Sequence, residues 1–378
     1  MEFRLTPEQE QFRDTVRRIV DSAQIAPDGL TAESYAEIWR RFGELGVAGL
    51  CVVEEQGGFS GAPEDIALVA MEMGRSPTVA PRIEAAAGAA FVLGKSGTAL
   101  ARECLQRLVA GDCCPAIAFT EGRGPGGTEI VRTRAVAVAD GFQLTGKKIA
   151  VVGGATANLL LVTAMLPDNR IGLFAVDPST AGIKCDSYRL ADMTLVADVL
   201  LTVVQVPEAA LILSGNTALE VMEEAFDVAT MTLCASSVGG MEKSIELTIE
   251  YLKMRNQFGH PLANFQALQH QIADMFMLAT NARSSLFAAI AALKGPPRDR
   301  RIAVSGCKIT VSAAAKEVTG RSVHLHGGIG FTTEYAVGHL FRRAVVDEQL
   351  FGGTEFHLER RIDERRRNAG NTPCLAVA

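Results

Sequence analysis

The spacing of apolar residues changes twice along this chain of 378 residues, and this change limits the folds that it can adopt. The first and last parts carry apolar side chains at a helical spacing, whereas the middle part forms short β-rich runs between turns. The predicted segments are an N-terminal helical domain over residues 1–112, a small β-sheet domain over 113–212, a helical domain over 213–368 and a tail over 369–378. The pattern therefore predicts an α+β protein.

Composition indicates a globular protein with large hydrophobic cores, because 48% of the residues are hydrophobic and only 21% are charged. A net charge of −6 argues against a nucleic-acid scaffold. No uninterrupted apolar run approaches ~20 residues and the first residues do not resemble a signal peptide, so we expect a cytoplasmic protein without a membrane span. The eight cysteines form no C-x-x-C pair, and we expect reduced, buried thiols.

Residues 251–271, YLKMRNQFGHPLANFQALQHQ, predict two helices joined by a tight turn. Their helical spacing breaks at Phe258-Gly259-His260-Pro261 and resumes at Phe265, and Gly and Pro are the residues that interrupt helices. Arg255 follows the aromatic Tyr251 by four positions, so both side chains lie near the end of the first predicted helix.

A second motif, HLHGGIGFTTEYAVGHLFRR over residues 324–343, is rich in glycine. The absence of side chains at Gly327, Gly328 and Gly330 lets the backbone approach a ligand closely, and exposed N–H groups suit an anion such as a phosphate. An ordinary helix-ending turn is the alternative interpretation of such a glycine run.

Together these motifs resemble those of the acyl-CoA dehydrogenase family. In that family the first motif is Y-x-x-x-R-x-x-F-G-x-x-(L/I)-x-x-x-Q and the second is Q-x-x-G-G-x-G-(Y/F), with His324 at the place of the usual Gln. Residues 52–61, VVEEQGGFSG, are similar to the family's P-E-E-x-G-G turn. The resemblance implies the acyl-CoA dehydrogenase fold with a C-terminal four-helix bundle, FAD as cofactor, an acyl-CoA substrate and electron transfer to an electron-transferring flavoprotein.

The resemblance also implies a flavin site at a subunit interface. In the family, the Arg of the first motif and the Gly-rich turn contact FAD held by the neighbouring subunit, so we expect an oligomer. The residues that would bind the partner's FAD are Arg255, Phe258, Gln266, His324, Gly327, Gly328 and Thr354. Thr120 belongs to the strand that, in the family, lies along the flavin.

The family removes two hydrogens across the Cα–Cβ bond of the thioester, and a carboxylate accepts the α proton. In many members this carboxylate is the Glu of Y-E-G-T, where this chain has Gly352. Other members carry it 26 residues before the motif Arg, which is Ala229 here (255 − 26 = 229). Two nearby acids could substitute: Glu355, the better candidate, and Asp227. The alternatives are that Glu355 stabilises a helix N-terminus and that Asp227 is a cap or packing residue.

The predicted β-sheet domain lacks several residues that would contact this chain's own flavin. The family's A-x-T-E-P-x-A-G-S-D is kept only as far as Glu121, and Gly126 replaces its substrate-contacting Ser. In the family's G-x-K-x-W-I-T, Ala150 and Val152 replace the Trp that covers the flavin ring and the Thr that hydrogen-bonds it. Residues directed to a neighbour's FAD are thus present, while several for the chain's own FAD are absent.

Two hypotheses of function follow. The chain is either a homodimeric or homotetrameric dehydrogenase with a relocated base, or the non-catalytic half of a heterotetramer with a second dehydrogenase-like chain, as known for bacterial breakdown of steroid side chains. We favour the heteromer because the base and the flavin contacts are lost in the same chain. A third hypothesis is flavin-linked monooxygenation. Small residues over 234–237 would permit a bulky or steroid-derived acyl chain, or simply close helix packing.

Overall fold

The computed structural model describes residues 5–22, 30–77, 82–122 and 131–368. Within these ranges the N-terminal part contains five α-helices, and the first begins with Pro, a residue that suits the first helical position. The backbone N–H of Gln9 donates to Thr6 Oγ1 over 3.2 Å and caps that helix. The helices are α1 (Pro7–Ser22), α2 (Ala32–Glu44), α3 (Pro63–Gly74), α4 (Ile83–Lys95) and α5 (Ala99–Val109).

The middle part forms a mixed sheet in which the strands follow the order β6-β7-β3-β2-β4-β5-β8, with β1 parallel to β4. The predicted β-rich runs lie in β2, β4 and β5. Buried side chains of β3, β4 and β7 contribute to the core of the sheet. The strands are β1 (Pro115–Ala118), β2 (Arg134–Val138), β3 (Gly141–Val152), β4 (Leu159–Met165), β5 (Ile171–Val176), β6 (Ile183–Arg189), β7 (Leu195–Val206) and β8 (Leu211–Ser214).

The C-terminal part is again helical and is built on three long helices, with two shorter ones packed on α8. A two-stranded hairpin of β9 and β10 separates α6 from α7, at the predicted tight turn. The elements are α6 (Gly215–Met254), β9 (Asn256–Gln257), β10 (His260–Pro261), α7 (Gln266–Ala292), α8 (Pro297–His326), α9 (Ala336–Gln349) and α10 (Thr354–Asn368). The predicted α+β architecture is therefore confirmed.

A buried arginine joins all three parts of the molecule. Arg82, just before α4, donates to Asp192 of the sheet over 2.7 Å and to Asp347 of α9 over 2.6 Å. All three side chains are almost fully buried. Because a buried charge without its partners is costly, this network fixes the sheet against the two helical parts. The network thereby holds β3 opposite the connection between α9 and α10, and a cleft lies between them.

Among the described helices, α7 is long and apolar enough to cross a membrane by length and composition alone. It packs against α6 and α8, as a bundle helix does. The prediction of reduced, buried thiols is corrected in part: the seven cysteines within the described residues are all free, but Cys51 is exposed and Cys114 and Cys185 are half-buried. The predicted tail over 369–378 lies outside the described residues.

Candidate functional site

A cleft of about 540 Å³ lies between the sheet and the α9–α10 connection. It brings together residues of the sheet and of the last two helices, which are far apart in the sequence. Predicted site residues that line it are Thr120, Ala150, Val152, Gly352, Thr354 and Glu355. Thr354 therefore lies with Thr120 in this cleft, and its hydroxyl is 3.4 Å from Glu348 Oε1.

Gly352, at the position of the family base, has no room for a side chain. Its φ of +89° is in the left-handed region that favours glycine. A Cβ at this position would overlap the ring of Phe356, whose Cε1 atom would be only 3.0 Å away. A glutamate at residue 352 would therefore require both backbone strain and displacement of Phe356.

Four phenylalanine rings fill the space beside Gly352. The ring of Phe226 on α6 lies 6.2 Å from that of Phe351 and 5.8 Å from that of Phe356, both edge-on. Phe119 stacks on Phe351 with 6.4 Å between the ring centroids. Such edge and stacked contacts are favourable aromatic geometries. The wall of the cleft at the base position is thus an apolar aromatic cluster.

The two candidate carboxylates occupy different environments. Glu355 is exposed in the first turn of α10, where an acid stabilises the helix dipole. Asp227 is fully buried within α6, where it accepts from Arg300 over 2.9 Å and from Arg360 over 2.6 Å. Asp227 is therefore an ion-pairing residue rather than a helix cap, and both of its oxygens are bound to cations.

Sequence reasoning missed two titratable residues, one that lines the cleft and one that is buried next to it. Glu348 lines the cleft, and its hydrogen bond from Lys316 lowers the pKa of its carboxyl group. His357 is buried with Nε2 2.9 Å from the carbonyl oxygen of Phe351 and Nδ1 3.1 Å from Ser305 Oγ. Burial lowers the pKa of His357 to about 3, so its ring is neutral and anchors the segment before Gly352. Neither Glu348 nor His357 belongs to a motif that the sequence analysis identified.

The retained part of the sheet motif has a structural role. Glu121 forms a buried ion pair with Lys148 and accepts from Thr133 Oγ1 over 2.6 Å. Lys148 also donates to Thr163 over 2.8 Å, which places the end of β1 against β3 and β4. Ala150 has a positive φ of 49° and, like Val152, contributes only an aliphatic side chain to the cleft. Gly126 lies outside the described residues.

The other predicted FAD residues lie together on a second surface, at the end of the helical bundle. The ring of Tyr251 stacks on His326 with 4.5 Å between centroids, so the end of α6 lies beside the end of α8. We call the resulting surface the exposed bundle end. It consists of Arg255, Phe258, Gln266, His324, Gly327 and Gly328, all of them exposed.

The exposed bundle end has the groups that a dinucleotide requires. Phe258 is 86% and Phe331 is 80% exposed, which is unusual for large apolar side chains unless a partner covers them. Nothing lies within 4 Å of a Cβ built on Gly327 or Gly328, so a ligand can approach this backbone. Within the described ranges, Arg255 has no ion pair. A guanidinium and open backbone N–H groups are the chemistry that suits a pyrophosphate such as that of FAD.

No group of three or more His, Cys, Asp or Glu side chains within the described ranges is placed to hold a metal ion.

Comparison with known proteins gives consistent matches over the whole chain. Family models for the acyl-CoA dehydrogenase N-terminal and C-terminal domains match residues 6–112 and 217–365. Acryloyl-CoA reductase (NADH) of Anaerotignum propionicum is 28% identical, and the match covers 94% of each chain. The probable acyl-CoA dehydrogenase YngJ of Bacillus subtilis is 29% identical, with 94% of this chain and 97% of the relative covered.

Solved structures share the same fold. One described as a variant of the Tcur3481-Tcur3483 steroid ACAD has a TM-score of 0.85 and 28% identity, covering 96% of this chain and 98% of the other. Butyryl-CoA dehydrogenase from Megasphaera elsdenii has a TM-score of 0.88 and 24% identity, covering 97% and 100%.

Proposed function

This chain belongs to the acyl-CoA dehydrogenase family of FAD-dependent oxidoreductases, which act on the CH–CH bond of an acyl-CoA, and we propose that it completes an interfacial FAD site in a heteromer. In this arrangement the second, dehydrogenase-like chain supplies the flavin contacts and the carboxylate base. The observation that carries this proposal is the contact between Gly352 and Phe356, which leaves no space for a base at the family position.

The charge environment of the cleft supports the same conclusion. Removal of an α proton requires a carboxylate that faces the substrate and can accept a proton. Glu348 is held by Lys316 over 2.7 Å, and Asp227 is bound to two arginines. Glu355 is the remaining candidate, but it is exposed in the first turn of α10, where an acid stabilises the helix dipole. This chain's own cleft is thus poorly equipped to accept the proton.

The exposed bundle end supports a role in the partner's site. Arg255 would donate to the pyrophosphate of FAD, and the backbone N–H groups at Gly327 and Gly328 would donate to the same anion. Phe258 would cover part of the flavin nucleotide and exclude water from it. When bound, FAD accepts the β hydrogen of the substrate as hydride. The contribution of this chain is to bind and orient that cofactor.

We infer that the substrate is an acyl-CoA with a bulky, steroid-like acyl chain and that electrons pass on to an electron-transferring flavoprotein. The support for a steroid-like acyl chain is the solved structure described as the Tcur3481-Tcur3483 steroid ACAD. That description gives two names, and the structure is 28% identical to this chain. We place the protein in the cytoplasm.

The second candidate function is a self-sufficient homomeric dehydrogenase with Glu355 as a relocated base. It is favoured by one observation, namely that Glu355 lines the same cleft as Thr120 and Val152. In this case the aromatic cluster would have to move when a substrate enters the cleft.

Measurement of flavin content distinguishes the two candidates. The chain is purified alone and also after co-expression with a second dehydrogenase-like chain of the same genome, and FAD per protomer is measured by absorbance. We expect little FAD and no acyl-CoA oxidation with the isolated chain, and FAD in the complex. Full FAD occupancy with turnover in the isolated chain would exclude the heteromer and support the homomer.

A further inference from the structure

A second cavity, of about 250 Å³, is lined by residues of α4 and α6, and it uses a different face of α4 from the one at the cleft. The residues of α4 that line this cavity follow the spacing of one helical face: Ile83, Ala86, Ala87 and Ala90. Ala85, on another face of α4, lines the cleft instead. Gly88 separates the two cavities, because it packs closely on α6. We call this space the α4–α6 cavity.

The lining of the α4–α6 cavity is almost entirely apolar. Its walls include Trp39 and Phe42 of α2, Ile66 of α3 and Met231 of α6. The Nε1 atom of Trp39 donates to the carbonyl oxygen of Cys113 over 2.9 Å, so the indole presents only its hydrocarbon surface to the cavity. Protein interiors are close-packed and contain few voids of this size. Apolar cavities that do occur stay free of water and accept apolar molecules.

Two charged side chains line the cavity and mark its mouth. Glu224 at the mouth lies 3.7 Å from Arg300, which offsets its charge. Lys294, which follows α7, is exposed at the same mouth and has no ion pair within the described ranges. An apolar cavity with an ammonium group at its opening is complementary to a molecule with a hydrocarbon chain and one terminal carboxylate.

We propose that the α4–α6 cavity binds a free fatty acid of medium length. At roughly 30 Å³ for a group the size of a water molecule, the cavity has room for about eight such groups, which is similar to the eight-carbon chain of octanoate. The hydrocarbon chain lies against Trp39 and Met231, and the carboxylate lies at the mouth beside Lys294. This site is independent of the interfacial FAD site, because it uses no residue of the cleft or of the exposed bundle end.

The position of Trp39 provides a direct test, because it is the single tryptophan of the chain. Titration with 8-bromooctanoate, whose heavy atom quenches indole fluorescence on contact, is expected to give saturable quenching. Ala90→Leu places a larger side chain in the cavity and should weaken this quenching at least tenfold. Ala87→Leu provides an independent filling variant, and the matched control Ala288→Leu changes an exposed alanine of α7 and should have no effect.

The placement of the carboxylate beside Lys294 is tested with the variant Lys294→Gln and with the alcohol 8-bromooctanol, which has no carboxylate. We expect Lys294→Gln to weaken quenching by 8-bromooctanoate about five- to tenfold and to leave quenching by the alcohol unchanged. Circular dichroism checks that each variant is folded. The proposal fails if folded wild-type protein shows no saturable quenching, or if neither filling variant changes it. Equal affinity for acid and alcohol would overturn the carboxylate assignment. None of these results depends on FAD or on a partner chain.

Discussion

The exposed bundle end and the cleft both contain positions that belong to the family's motifs. The two sites differ in how closely the rest of the chain packs around these positions. At the exposed bundle end, Arg255 and Phe258 face solvent, and their own chain contributes few contacts to them. In the cleft, the position of Gly352 is set by Phe356 and by the buried His357. A side chain could thus be replaced at the exposed bundle end with little effect on packing, whereas a larger side chain at residue 352 would displace its neighbours.

The largest expected effect concerns Asp227, which is buried next to Phe226 of the aromatic cluster. Asp227→Ala leaves Arg300 and Arg360 without their buried partner, and we expect a loss of about 3–5 kcal/mol in the free energy of unfolding. Urea denaturation measures this loss. Asp363→Ala, an exposed acid of α10, is the control and should change stability by less than about 0.5 kcal/mol. A stable, inactive Asp227→Ala variant would instead assign Asp227 to the chemistry.

Gly352→Glu tests whether the missing base can simply be restored. We expect a loss of about 2–4 kcal/mol in stability, because the side chain clashes with Phe356 and the backbone has a positive φ. Adding Phe356→Ala should recover the steric part of that loss. Gly353→Ala is the matched control, since its Cβ would have no neighbour closer than 3.5 Å. A Gly352→Glu variant as stable as the wild type would contradict the described packing.

Arg255→Ala tests the exposed bundle end. In the co-expressed complex we expect about 10- to 100-fold weaker FAD binding, because a charge-assisted hydrogen bond to the pyrophosphate is lost. Equilibrium dialysis of FAD measures the affinity. Arg283→Ala removes another exposed arginine of the bundle, one that contacts Glu242, and should leave FAD binding unchanged. Unaltered FAD affinity in Arg255→Ala would remove Arg255 from the interfacial site.

The pKa of His357 predicts an acid sensitivity of the cleft. The folded-state pKa of about 3 lies below the ordinary value of 6.5, so the unfolded chain binds more protons between these values and stability falls as the pH decreases. Between pH 6.5 and 4.5 we expect His357 to contribute a loss of about 2–3 kcal/mol. Denaturation of His357→Gln, which removes this titration, should show a correspondingly smaller pH dependence. An identical pH dependence in both proteins would exclude this role for His357.

The smallest expected effect is that of Glu355→Gln. If the partner supplies the base, turnover of the complex should change by less than about twofold, because Glu355 then only stabilises the start of α10. Steady-state acyl-CoA oxidation by the complex measures this. A decrease of several orders of magnitude would show that Glu355 is a base and would favour the homomeric function.

Some features could be predicted from the sequence because they depend on local order along the chain. Apolar spacing predicted the helical and β-rich parts, and Gly with Pro marked the turn between α6 and α7. The two motifs predicted the family, which the comparisons confirm. By that resemblance Arg255 and the Gly-rich turn were predicted to contact the same FAD. The absence of a carboxylate at Gly352 was likewise visible in the sequence itself.

Other features depend on contacts between distant residues, which no local pattern encodes. The sequence could not show that Phe226 and Phe356 close the space around Gly352, since 130 positions separate these two rings (356 − 226 = 130). Nor could it show that Asp227 binds two arginines or that Thr354 lies with Thr120 rather than with Arg255. The sequence determined the elements and the motifs, because these follow from neighbours along the chain. Only the tertiary structure decided which surfaces are open and which are filled, because packing unites side chains from every part of the molecule.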